Sequence, residues 1–167
     1  MPTEQTSAAS KHSWPDLAGR LVTVAERRGH VLPVRVYFED TDFSGLVYHA
    51  SYVRWCERGR SDFLRLLGND HRDLIDGGDG REPAAFVVRR MALEFLKPAR
   101  IDEVLEVETR VKEIGAAHLV LDQRIRRDGA ALFTAEVMVV LVSVSGKPLR
   151  IASALKAAFG DGAQMPK

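Results

Sequence analysis

The chain has 167 residues, 46% of them hydrophobic and 28% charged, a balance that fits one globular domain with a packed core and excludes both a disordered chain and a membrane bundle. Its 24 Lys and Arg against 23 Asp and Glu leave a formal charge of +1, so neither nucleic-acid binding nor membrane insertion is expected. A single cysteine, Cys56, excludes an intramolecular disulfide and multi-cysteine metal sites and suits a reducing compartment, the cytoplasm.

Met1 to about Ser13 is small and polar without a period and reads as a disordered tail. From Trp14 to Arg28, the spacing of Leu17, Leu21 and Val24 predicts a helix. After Pro33 the chain alternates, with Val34, Val36 and Phe38 on one face and Arg35, Tyr37 and Glu39 on the other, which predicts a strand. A polar turn from Asp40 to Gly45 follows. Tyr52, Trp55, Cys56, Phe63, Leu66 and Leu67 then recur at three- and four-residue spacing, predicting an amphipathic helix near Ala50 to Leu67, with Ser51 as a candidate cap and Gly68-Asn69 as its end. The Gly- and Asp-rich stretch from Asn69 to Pro83 reads as a surface loop, mobile over a site.

Four β-like runs come next, beginning near Ala85, Asp102, Ala117 and Ala131, and they predict a four-strand antiparallel meander. Asp128-Gly129 is the strongest hairpin signal, because that pair supplies the positive φ of a tight turn. After Pro148 the chain reads as a short closing helix. The expected fold is therefore α+β, a central helix wrapped by an antiparallel sheet of about five strands. Residues 1–32 read as an N-terminal extension, partly disordered, 33–160 as the domain and 161–167 as a tail. An open sheet has an edge, and edges invite a second copy, so a homo-oligomer, dimer or tetramer, is expected.

The segment from Val34 to Arg65 places Asp40, Asp42, a glycine turn and His49 between a strand and a helix. A carboxylate beside the unpaired N–H groups of a helix start can act as base or nucleophile while the amide dipoles stabilise developing negative charge, an arrangement suited to acyl transfer. The competing reading is that both aspartates only form turns by bonding their own backbone two residues on.

The run from Tyr37 through Asp40-Thr41-Asp42-Phe43-Ser44-Gly45 to Glu57-Arg58-Gly59-Arg60 resembles the signature of the 4-hydroxybenzoyl-CoA thioesterase family of hotdog-fold proteins. It looks most like the Tol-Pal-associated acyl-CoA thioesterases of Gram-negative bacteria, over about Pro33 to Phe159. The resemblance implies an acyl-CoA substrate, no cofactor, and Asp42 as the carboxylate that either attacks the thioester carbonyl or activates a water. It also implies that the carbonyl oxygen meets the amide of His49, and that Gly45 and Val47 shape the turn. The His49 imidazole either moves protons or fixes the turn. Tyr37 and Tyr48 either line the acyl pocket or pack in the core.

Glu57 and Arg60 lie three apart on the helix and read as a surface pair. Cys56, on the apolar stripe, reads as a small buried hydrophobe rather than a nucleophile. His12, His30, His49, His71 and His118 show no metal-binding spacing. Phosphate groups of CoA would meet Arg89, Arg90 and Lys97, or Arg124, Arg126 and Arg127. The alternative function is a non-catalytic module that binds acyl groups or an acyl carrier protein for envelope machinery. A hotdog dehydratase is disfavoured because its His-Phe-Pro segment is missing.

Overall fold

A computed structural model of the chain describes residues 16–24, 27–77 and 80–160. Its strands are β1 (Arg20–Val24), β2 (Arg27–Arg35), β3 (Ala84–Phe95), β4 (Val104–Ile114), β5 (His118–Arg127) and β6 (Ala130–Ser143). They form one six-stranded sheet in the order β1-β2-β4-β5-β6-β3, antiparallel throughout. Among the described residues three α-helices accompany it: α1 (His49–Leu66), α2 (His71–Asp76) and α3 (Ser153–Ala158).

The period-two pattern of the central strands explains the core. Leu105 and Val107 on β4, Leu119, Leu121 and Ile125 on β5, and Phe133, Ala135, Val137, Val139 and Leu141 on β6 are buried, as expected where one face of a sheet is covered. Tyr52, Trp55, Cys56, Phe63 and Leu64 of α1 pack into the same cluster. At Gly59 the helix comes so near the sheet that a Cβ would lie 3.0 Å from a Val107 methyl and 3.1 Å from the Thr109 hydroxyl. The expected Asp-Gly hairpin is present, with φ of +50° at Asp128 and +80° at Gly129.

Several expectations are corrected. Where a helix was expected from Trp14 to Arg28, the described residues form the β1–β2 hairpin, in register from Arg20 opposite Val31 to Val24 opposite Arg27. Weak helical spacing yielded to a long-range pairing, because β2 also bonds along β4. The sheet thus begins at Arg20, inside the segment read as an extension, while Met1–Ser13 and 161–167 lie outside the described residues. The strand expected to run through Phe38 stops at Arg35. Asp40 Oδ2 accepts a bond from the Tyr37 amide at 2.9 Å, which folds Phe38–Asp40 into a 3₁₀ turn and leaves Phe38 81% exposed.

The stretch from Asn69 to Pro83 is not all loop. Asp70 caps α2 through a bond from the Arg72 amide at 2.8 Å, and Gly77 ends it at φ +69°. The meander covers only β4 to β6, since β3 pairs with β6 at the far side of the sheet. No tight turn joins β3 to β4; instead residues 96–103 cross toward β2, where the Val36 amide bonds Glu103 O at 2.9 Å. That crossover is what meets the start of α1.

Candidate active site

The site is assembled where three segments without regular strand geometry converge: the turn from Phe38 to Tyr48, the first turn of α1, and the crossover. Their backbones are stitched together. The Tyr48 amide donates to Asp40 O at 2.8 Å, the Val47 amide to Ala99 O at 2.9 Å, and the Asp42 amide to Leu46 O at 3.0 Å. Tyr52 extends the bracing from inside the core, since its hydroxyl accepts from the Ala99 amide at 3.1 Å. Burial raises the Tyr52 phenol above its ordinary pKa, which keeps the hydroxyl protonated in this role.

The two aspartates of the turn do different work. Asp40 is buried and structural: its carboxylate closes the 3₁₀ turn, and its carbonyl receives the Tyr48 amide and the Ser51 hydroxyl. Ser51 is therefore not the helix cap. That position belongs to Tyr48, which makes no side-chain cap bond. Asp42 is exposed, and its Oδ1 accepts from both the Ser44 amide, at 2.8 Å, and the Ser44 hydroxyl, at 2.5 Å. The Ser44 hydroxyl, then its amide, hold the Asp42 carboxyl below its ordinary pKa, and the charge of His49 adds to the effect. Asp42 Oδ2 has no hydrogen-bond partner among the described residues.

The helix begins at His49. The amides of Tyr48 and Ser51 are engaged, whereas those of His49 and Ala50 donate to nothing among the described residues, as the first turn of any helix dictates unless a ligand or cap intervenes. The His49 ring lies against Tyr48, centroids 4.3 Å apart, and edge-on to Phe95 at 6.5 Å. Beside it is an open groove of about 270 Å³ whose walls include Leu46, Val47, His49, Tyr52, Phe95 and Pro98. A larger cavity of about 460 Å³ lies between α2 and α3, and neither Asp42 nor His49 lines it.

Of the residues singled out in the sequence, Val47 and His49 line this groove; Tyr48 packs on the His49 ring, and Asp42, on the turn before the helix, is near enough to His49 to feel its charge. Gly45 lies at the turn with φ of +75° and open space where a Cβ would be, so backbone conformation rather than close approach accounts for it. Tyr37 contributes its amide to Asp40, and its side chain is exposed. The expected Glu57–Arg60 surface pair is not formed. Glu57 accepts from the Ser61 hydroxyl at 2.6 Å, and Arg60 turns inward to Gln123 at 2.8 Å. Cys56 is buried and its thiol is pushed up to about 12, a dormant group.

Of the basic residues considered for phosphate contact, Arg90, Arg124, Arg126 and Arg127 are engaged by Glu136, Asp122, Glu108 and Glu103. Lys97 lies at the groove itself. Ser44, Tyr52, Phe95 and the Pro98-Ala99 crossover were missed. Ser44 had a signal, a hydroxyl two residues after an aspartate in a turn. The other three depend on contacts distant in sequence.

The family model of the thioesterase superfamily matches residues 44–134. The acyl-CoA thioesterase YbgC of Haemophilus influenzae is 39% identical over 132 residues, covering 78% of this chain and 94% of its own. The acyl-CoA thioester hydrolase YbgC of Escherichia coli is 42% identical over 129 residues, covering 76% and 92%. A crystal structure described as a probable thioesterase from Bartonella henselae superposes with a TM-score of 0.71 at 43% identity, over 74% of this chain and 99% of that one.

Proposed function

The chain belongs to the thioesterase superfamily and is a thioester hydrolase, and we propose that it cleaves acyl-CoA to a free carboxylic acid and CoA with Asp42 as the reacting carboxylate. One observation carries the reading: an exposed carboxylate with a free oxygen stands beside a helix start whose His49 and Ala50 amides have no acceptor among the described residues. A thioester carbonyl laid across that start would accept from the His49 amide, and attack on its carbon would move charge onto the oxygen where the amide dipole favours it.

Asp42 acts on the carbonyl carbon directly, or through one water whose proton it takes. In the water route the new C–O bond gives a tetrahedral oxyanion, its collapse breaks the C–S bond, and the thiolate leaves and is protonated. The acyl chain would run along the groove between Val47, Tyr52 and Phe95, with Tyr48 and His49 at its mouth. Lys97, beside the groove, is the basic residue placed to meet a CoA phosphate.

The same reading includes a homo-oligomer. β3 is a 12-residue edge strand with exposed Val87 and Val88, a surface that a second copy would cover by pairing. Light scattering at micromolar concentration should give a multiple of 18.5 kDa, and a monomer would refute that part. The catalytic part is tested by assaying a panel of acyl-CoAs with the wild type and Asp42→Asn. Unaltered turnover by the variant would remove Asp42 from the mechanism.

A further inference from the structure

We propose that Ser44 is a positioning residue for the Asp42 carboxylate, clamping Oδ1 with its hydroxyl and its amide so that Oδ2 is the oxygen presented to the substrate. This rests on the reading of Asp42 as the reacting carboxylate. Its own basis is the pair of bonds to one oxygen, 2.8 Å from the Ser44 amide and 2.5 Å from its hydroxyl. An exposed aspartate in a turn otherwise has several rotamers open to it, and two donors converging on one oxygen select among them.

The hydroxyl is not what closes the turn. The Asp42 amide bonds Leu46 O and the Gly45 amide bonds Asp42 O, both at 3.0 Å. Among the described residues, the one backbone contact the hydroxyl makes is a long one, 3.4 Å from the Leu46 amide. Removing it should therefore leave the backbone in place and free the side chain.

Both donors also favour the charged form of the carboxyl, so the clamp keeps Asp42 ionised further into acid. The other charged groups on the converging elements have separate engagements or lesser effect. Asp40 faces the Tyr37 amide, Arg54 bonds the Ser51 hydroxyl, and Glu103 holds Arg127 and the Arg100 amide. Glu39 lies on the 3₁₀ turn, and Lys97 and Asp102 lie on the crossover. His49 is the charge that acts on Asp42. Losing the hydroxyl thus has a defined sign: the Asp42 carboxyl titrates at higher pH, and the acid limb of the rate profile moves the same way.

The test compares Ser44→Ala, Ser44→Thr and Asp42→Asn with the wild type, using kcat and KM against pH and, independently of turnover, the carbon-13 titration of the Asp42 carboxyl. Ser44→Ala should lower kcat about tenfold, as expected when a reacting group loses its alignment, with KM within about twofold. Both the acid limb and the carboxyl titration should move to higher pH, and Ser44→Thr, which restores the donor, should return all three. An unmoved titration and acid limb in Ser44→Ala, beside an inactive Asp42→Asn, would overturn the clamp and leave Asp42 in place. Full turnover by Asp42→Asn would overturn both.

Discussion

Along α1, the first turn and the turns that follow handle polar groups in opposite ways. At the start, the His49 and Ala50 amides, the Asp42 Oδ2 and the rings of Tyr48 and Phe43 are left to solvent. Two turns further on, a set of polar groups faces inward and is engaged. Gln123 Nε2 donates to Cys56 O at 2.9 Å and to the Thr109 hydroxyl at 2.8 Å, while its Oε1 accepts from Arg60. His30 Nε2 meets Asp62 Oδ2 at 2.8 Å beneath the β1–β2 hairpin. The contrast teaches where to look for chemistry in such a fold. Unpaired groups at one end leave room for a ligand, and paired groups in the middle hold the helix in register with the sheet.

If that division is right, mutations at the two places should separate activity from stability. The largest effect belongs to Asp42→Asn, which should lower turnover by about two to four orders of magnitude, the scale of losing a positioned base or nucleophile. Thermal unfolding should be unchanged, because the bonds to Asp42 Oδ1 are made at the surface. A loss of turnover matched by a loss of fold would blur the comparison, and circular dichroism of the variant decides this.

Gln123→Leu should do the reverse. It leaves the Arg60 guanidinium and the Thr109 hydroxyl without their Gln123 partner in a buried layer, at about 2–3 kcal/mol of stability, read as a lower urea midpoint with the same slope. Activity per folded molecule should stay near wild type. A stability within about 0.5 kcal/mol of wild type, the range of an ordinary surface change, would mean the buried network is replaceable by apolar packing.

The His30–Asp62 pair adds a pH dependence from the same region. Burial lowers the His30 pKa from its ordinary value, and the bond and charge of Asp62 offset part of that. With the folded pKa below the unfolded one, the unfolded chain binds more protons between them. Stability is therefore full above about pH 6.5 and is lost as pH falls toward the folded value, at up to about 1.4 kcal/mol per pH unit. His30→Phe should flatten the slope of the urea midpoint between about pH 7 and 5; an equal slope in both proteins would place the titration elsewhere.

What could be read in the sequence follows the same division. The turn from Asp40 to Gly45, the helix after it, the Asp128-Gly129 hairpin and the alternation of β4, β5 and β6 are local patterns, and each appears where expected. The order of strands was not legible, because β3 beside β6 and β1 beside β2 are pairings that no local period encodes. Arg60 was illegible for a related reason. A charged residue on a helix is usually solvated, and only the position of Gln123 on β5 shows that this one is not. The residues' own chemistry left Asp40 and Asp42 alike, since either carboxylate could have bonded the turn, and only the resemblance pointed to Asp42; the structure buries the one and exposes the other.

The smallest expected effect tests two glycines, one from each region. Gly45 has φ of +75° and nothing within 4 Å of the place a Cβ would take, whereas Gly59 has neighbours at 3.0 and 3.1 Å and no positive φ. Gly45→Ala should then cost about 1 kcal/mol through backbone conformation alone, and Gly45→Asn should cost less, because asparagine tolerates the left-handed region. Gly59→Ala should cost through contact with Val107 and Thr109 instead. The double variant Gly59→Ala, Val107→Ala should lose less than the sum of its single changes, while Val107→Ala should add to Gly45→Ala without coupling. Urea midpoints for the set decide the matter. If asparagine is no better than alanine at position 45, conformation is not why a glycine stands there, and the turn that holds Asp42 is constrained in some other way.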